Sequence, residues 1–151
     1  MNKRNYIILG LIIIGLGFAW FFWPKSTAPE LSSDQRTRLE QYIKDTDKKI
    51  ENDKFNQFNY LDKADYLRQL GRESEALATL EGAYKTRETW KQTPDFLLLE
   101  ARIRGQSNVE EGIARYEALI AREQKNEQFY SEYIIFLKKN NQSREKILEY
   151  Y

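Results

Sequence analysis

Cysteine and histidine are both missing from this 151-residue chain. Without cysteine there is no disulfide framework, no thiolate metal site and no thiol nucleophile. Without histidine the commonest general base and the commonest metal ligand are gone. An excess of either charge is missing too: 24 basic residues face 23 acidic ones, a formal net charge of +1. Nucleic-acid binding asks for a clustered basic surface, and this balance offers no argument for one. There is no P-loop, no GxSxG and no zinc-ligand spacing. The carboxylates Glu73 and Glu75, and Glu110 and Glu111, fall at expected helix N-termini, where they favour the helix dipole rather than form an acid/base pair. No catalytic, cofactor-binding or metal-binding residue is therefore assigned, no cofactor is implied, and the expectation is a protein that is not an enzyme. A hydrolase working with paired carboxylates would need a deep pocket with two converging acids.

What is present is first a long apolar run. Residues Tyr6 to Trp23 read YIILGLIIIGLGFAWFFW, with no charge. As a helix the run would be about 27 Å long, close to the thickness of a bilayer core. Tyr6 stands at one end and Trp20 and Trp23 at the other, where amphipathic rings favour the headgroup layer. A cleaved signal peptide would need a small-residue cleavage site, and the bulky end of this run is unsuited to cleavage. The expectation is a short tail at 1–5, a transmembrane anchor at 6–23 that contacts lipid, and a single-pass protein of the plasma or inner membrane. Lys3 and Arg4 favour a cytoplasmic N-terminus, with the remaining chain on the periplasmic or extracellular side. Gly10, Gly15 and Gly17 make no GxxxG face for dimerisation. All 23 acidic and 22 of the basic residues follow Trp23, so the remainder is close to neutral.

Residues 24–33, PKSTAPELSS, read as a polar linker with two prolines. Ser33 then looks like an N-cap, with Arg36 where a capping box would want Glu. An amphipathic helix is expected over 34–54, running from Asp34 to Asp53, with Leu39, Ile43, Thr46 and Ile50 as its apolar seam. That seam packs on the next helices, pairs with a partner helix, or belongs to a free stalk.

Residues 55–151 carry an internal repeat. FNYLDKADYLRQLGRESEALATLEGAYK can be laid over PDFLLLEARIRGQSNVEEGIARYEALIA. Tyr60 then meets Phe96, Leu67 meets Ile103, Ala76 meets Gly112, Leu80 meets Tyr116 and Ala83 meets Leu119, each pair 36 residues apart. A weaker third copy begins at EQFYSEYIIFLKKNNQ, with Phe129 answering Phe96 and Phe136 answering Ile103. Each copy is expected to hold two amphipathic helices, with Gly71 ending one and Pro94 in the first turn of another. Trp90, in the longest connection, is expected to cover the core edge.

These residues resemble the tetratricopeptide repeat family over roughly residues 58 to 151. Tyr60, Ala64, Gly71, Ala76, Leu80 and Ala83 take the family's positions in the first copy, and Phe96, Leu99, Ile103, Gly112, Tyr116 and Leu119 in the second. The chain departs at Lys63 and Glu88, and again where Glu100 and Ser107 replace a small residue and a glycine. The resemblance implies an all-α fold: after the anchor, a short α-solenoid of about three helical hairpins, the last degenerate. It also implies a protein-interaction function without catalysis.

By the same resemblance, partners would lie on the surface formed by the first helix of each pair. The outward positions there are Leu61, Asp65 and Arg68, then Leu97, Ala101 and Arg104, then Tyr130, Ile134 and Leu137. Arg68 and Arg104, 36 residues apart, would form a short basic rail for a carboxylate, or else are two solvated arginines. Leu97, Tyr130 and Ile134 make an apolar patch or belong to the core between repeats. The expected function is a membrane-tethered adaptor or scaffold of the cell envelope that binds membrane-associated proteins or peptides, and not nucleic acid. The alternative is a fixed subunit of an obligate membrane complex with no exchangeable ligand. The apolar end Ile147-Leu148-Glu149-Tyr150-Tyr151 points to a partner, a homodimer or a truncated chain at that edge.

Overall fold

The computed structural model describes residues 31–150, and within them every regular element is helical. The first helix, α1, spans Ser33–Asn52. Its cap is Ser32, not the expected Ser33. The Ser32 hydroxyl accepts from the Gln35 N–H at 3.2 Å, and the Gln35 side chain accepts from the Ser32 N–H at 2.9 Å. Two adjacent serines fit the N-cap preference equally, and the box closes only from the one that has Gln35 three residues on. Leu39, Ile43 and Thr46 are buried along one stripe of α1. Thr46 is tolerated there because its hydroxyl donates to the Tyr42 carbonyl at 2.6 Å. The stripe packs on α2, Gln57–Gln69, which settles the seam's three readings in favour of the first. Lys63–Asp47 at 2.5 Å and the Tyr42–Tyr66 ring contact tie the same two helices at their rims.

Gly71 separates α2 from α3, Glu73–Thr86. Its φ of +74° is the left-handed conformation that glycine adopts at least cost. The Arg72 N–H bonds the Leu67 carbonyl and the Gly71 N–H the Arg68 carbonyl, which together make a Schellman ending. A one-and-a-half-turn 3₁₀ helix, Glu88–Gln92, follows, and Trp90 on it is only 4% exposed. Its ring lies 6.0 Å from Phe96, nearly parallel, and 5.8 Å from Tyr60. Trp90 thus closes the side of the first core.

The second hairpin is α4, Pro94–Ser107, and α5, Val109–Arg122. Pro94 occupies the first turn of α4, where a missing N–H costs nothing. Asn108 ends α4 and caps α5, accepting from the Glu111 N–H at 3.1 Å. The helices cross at Gly105 and Gly112. A Cβ on Gly112 would lie 2.7 Å from the Gly105 Cα and 2.6 Å from the Phe136 ring. The third pair is α6, Glu127–Lys139, and the five-residue α7, Arg144–Leu148. Asn141, at φ 53°, ends α6 with the same bond pattern as Gly71, Gln142 to Leu137 and Asn141 to Lys138.

The interior has two centres. One gathers Ile43, Tyr60, Leu67, Leu80, Trp90, Phe96, Leu99 and Ile103; the other gathers Leu98, Ala101, Tyr116, Leu119, Phe129, Tyr133 and Leu137. Helix α4 belongs to both, through Phe96, Leu99 and Ile103 on one side and Leu98 and Ala101 on the other. Six of its 14 residues are buried, more than in any other described helix.

The membrane localisation expected from the sequence is not retained. Among the described residues no helix is long and apolar enough to cross a membrane. The longest, α1, has 20 residues, half of them charged, and it serves the core with one stripe only. The tail at 1–5, the run at 6–23 and most of the linker at 24–33 lie outside the described residues.

Candidate interaction surface

The expected binding positions lie on α2, α4 and α6; seven of the nine are half-buried and two are enclosed. Leu61 is half-buried and packs on the first core; Leu97 and Tyr130 are half-buried and pack on the second. Ile134 is half-buried. Ala101 and Leu137 are fully enclosed, at 0% exposure each. This corrects their outward placement. Ala101 is enclosed because α4 is sandwiched between the two cores, and Leu137 because α6 lays that turn against the second.

Arg68 and Arg104 do not form a rail. The Arg68 Nε donates to Asp65 at 2.8 Å, and Gln69 donates to the same carboxylate at 2.7 Å. Arg104 turns elsewhere, donating to Glu100 at 3.0 Å and standing 3.3 Å from Glu111. Arg115 completes that second network, 3.1 Å from Glu100 and 3.2 Å from Glu111. Beside it lies the Tyr84 hydroxyl, buried and without a hydrogen-bond partner among the described residues. Burial, and then the Glu100 charge, push the Tyr84 phenol well above its ordinary range, against the opposing pull of Arg115 and Arg104.

Arg102 forms a two-pronged ion pair with Glu132 of α6, its Nε donating at 2.7 Å. Beneath it sits Tyr116, whose phenol burial and the Glu132 charge push up to about 12, with Arg102 opposing. This region thus holds two ion pairs, Arg68 with Asp65 within α2 and Arg102 of α4 with Glu132 of α6. Sequence reasoning missed the Arg102–Glu132 pair. Nothing in the spacing marks it, because the two residues lie in different hairpins and meet only once α6 docks on α4.

Two other features bound the surface. A groove of about 380 Å³ runs between α1 and α3 over α2, floored by Ile50, Tyr60, Leu67, Ala78 and Gly82. At the far end Glu117 accepts from the Tyr133 hydroxyl at 2.7 Å and pairs with Lys146 at 3.1 Å, holding α7 against α5 and α6.

The chain matches no protein family, no curated protein and no solved structure. Among the described residues no group of acidic side chains is arranged to hold a metal ion. Several charged side chains of α2, α4 and α6 are paired: Arg68 with Asp65, Arg102 with Glu132, Arg104 with Glu100, and Lys63 with Asp47 of α1.

Proposed function

We propose that the helical region is a tetratricopeptide-like module whose work is to bind another protein, without catalysis, over the face formed by α2, α4 and α6. The observation that carries this reading is the burial of the repeat. All ten residues of the five pairs spaced by 36 are buried, from Tyr60 and Phe96 to Ala83 and Leu119. A repeat whose equivalent positions are all interior supports hairpins stacked in series, each covering its neighbours. Such stacks leave the first helices of successive pairs side by side, and α2 packs on α4 here.

A second reading is a fixed subunit of an obligate complex. Ile135, 64% exposed on α6, and Leu148, 56% exposed on α7, favour it, since both apolar side chains face outward at the last hairpin.

Site-specific photo-crosslinkers separate the two. Probes at Leu61, Leu97 and Ile134 are expected to capture a partner, and probes at Glu81 and Ala118 on the second helices are not. Capture from Glu81 and Ala118 alone would remove the proposed face. A single partner in fixed stoichiometry, captured from Ile135 and Leu148, would replace the adaptor with the fixed subunit.

A further inference from the structure

The corner between α1 and α2 exposes two of the largest apolar side chains in the described residues. Phe55 is 55% exposed and Phe58 60%. Neither sits on a loose loop. The Phe55 N–H donates to the Asp53 carboxylate and the Phe58 N–H to the Asn56 side chain, both at 3.1 Å. The turn is pinned from within, and it presents both rings to solvent at the cost of exposed apolar area.

Two cations attend the Phe55 ring: the Lys54 ammonium at 5.3 Å and the Arg87 guanidinium at 5.9 Å from its centroid. Arg87 also lies 5.6 Å from the Trp90 ring. Its position is set by two aromatic faces. Arg68, Arg72, Arg102, Arg104 and Arg115 each meet a carboxylate. Arg87 and Lys54 meet none within 4.0 Å among the described residues. An arginine held in place by rings, with its N–H fork unoccupied, is prepared to take a carboxylate by two parallel hydrogen bonds.

We propose that this corner, Phe55 and Phe58 with Arg87 and Lys54, docks a short acidic peptide segment carrying an apolar side chain. The partner's carboxylate sits on Arg87, and its apolar group covers the phenylalanine rings. Local charge selects a short segment over an extended polyanion. Glu51, Asp53 and Glu88 are exposed next to the two cations in sequence and repel a dense array of phosphates, whereas one or two carboxylates beside a hydrophobe fit between them. The inference rests on the reading that the chain binds proteins, but it uses a surface apart from α2, α4 and α6.

The test is calorimetric titration of the full-length chain with a blocked peptide of alternating glutamate and phenylalanine. A lysine–phenylalanine peptide and vesicles of anionic phospholipid serve as comparisons. The acidic peptide is expected to bind. Arg87→Glu and the double change Phe55→Ala with Phe58→Ala are each expected to weaken it at least about tenfold, and Arg87→Lys by less. These side chains are exposed, and unchanged circular dichroism checks that the fold is kept. No binding, binding indifferent to Arg87, or equal binding of the basic peptide would overturn the proposal. Vesicle binding abolished by Arg87→Glu, with no peptide binding, would hand the corner to a lipid surface instead. Crosslinks from Leu61 and Leu97 without peptide binding would sink this inference alone. Peptide binding without those crosslinks would sink the larger face and leave the corner.

Discussion

Glycine shows how much one methyl group decides in this chain. At Gly112 a Cβ would collide with the Gly105 Cα and the Phe136 ring, both under 3.0 Å away. At Gly82, also inside a helix, a Cβ would meet nothing within 4 Å. Gly112→Ala must therefore force α4, α5 and α6 apart, at about 1–3 kcal/mol of overpacking. Gly82→Ala should stabilise by about 0.5–1 kcal/mol, because alanine loses less backbone entropy on entering a helix. Denaturant midpoints of the two variants should move in opposite directions, and a Gly112→Ala protein as stable as its parent would refute the tight crossing. The alignment of Ala76 with Gly112 already places a small residue here. It does not show why alanine suffices once and not twice. Two things close the second crossing: the backbone of α4 at Gly105, where the first copy has Gln69, and the Phe136 ring, which comes from a different hairpin.

At the scale of the helix, α7 is the element with least to hold it. It has five residues, its apolar contacts come from Ile147 with Tyr150 just beyond, and the Tyr150 ring stands edge-on to Tyr133 at 4.8 Å. Glu117 is its electrostatic anchor. Partial burial raises the Glu117 pKa, but the Tyr133 hydroxyl, Lys146 and Tyr150 outweigh it, and the net shift is downward. A carboxyl group whose folded pKa lies below its unfolded value contributes stability above the ordinary carboxylate range. That contribution is lost as pH falls through the folded value. Acid should therefore loosen α7 first, read as a fall in amide-exchange protection over 144–148, relative to the intrinsic rate at each pH. Glu117→Gln should exchange fast already at neutral pH and lose the acid step. An acid step that survives in Glu117→Gln would assign the anchor elsewhere.

The same scale explains what the sequence revealed and what it hid. Hairpin helices, the Gly71 turn and the covering role of Trp90 were all legible, because each depends on local pattern or on one bulky side chain. The arginine rail was not. Transferring positions by 36 residues assumes equal surroundings, and Glu100 stands where the first copy has Ala64. That half-buried carboxylate draws in Arg104 and Arg115 and turns Arg104 away from Arg68's side. Ala101 was misplaced because α4 contributes to both cores, whereas Leu137 shares the buried stripe of Phe129 and Tyr133 at four-residue spacing, a pattern the transfer of repeat positions overrode.

Across the whole molecule the two cores are unequal, and α4 is what joins them. Helices α2 through α5 pack as two full hairpins, closed by α1 at one side and stitched together by Phe96, Leu99 and Ile103. The last pair offers one full helix and one short one, linked to the rest by Phe129, Tyr133, Leu137 and the Arg102–Glu132 bridge. On the proposed reading of hairpins stacked in series, with stability summed over neighbours, such a gradient permits partial opening from the weaker end. Amide exchange should be slowest in α2 to α5, faster in α6 and fastest in α7. Arg102→Gln should speed exchange in α6 more than in α2, because it leaves Glu132 without its partner across the hairpin boundary. Ala101→Leu, placed in the joint itself, should instead speed exchange in both halves together. Uniform protection from α1 to α7 in the parent protein would mean a single cooperative unit, and the picture of hairpins that open in sequence would have to be abandoned.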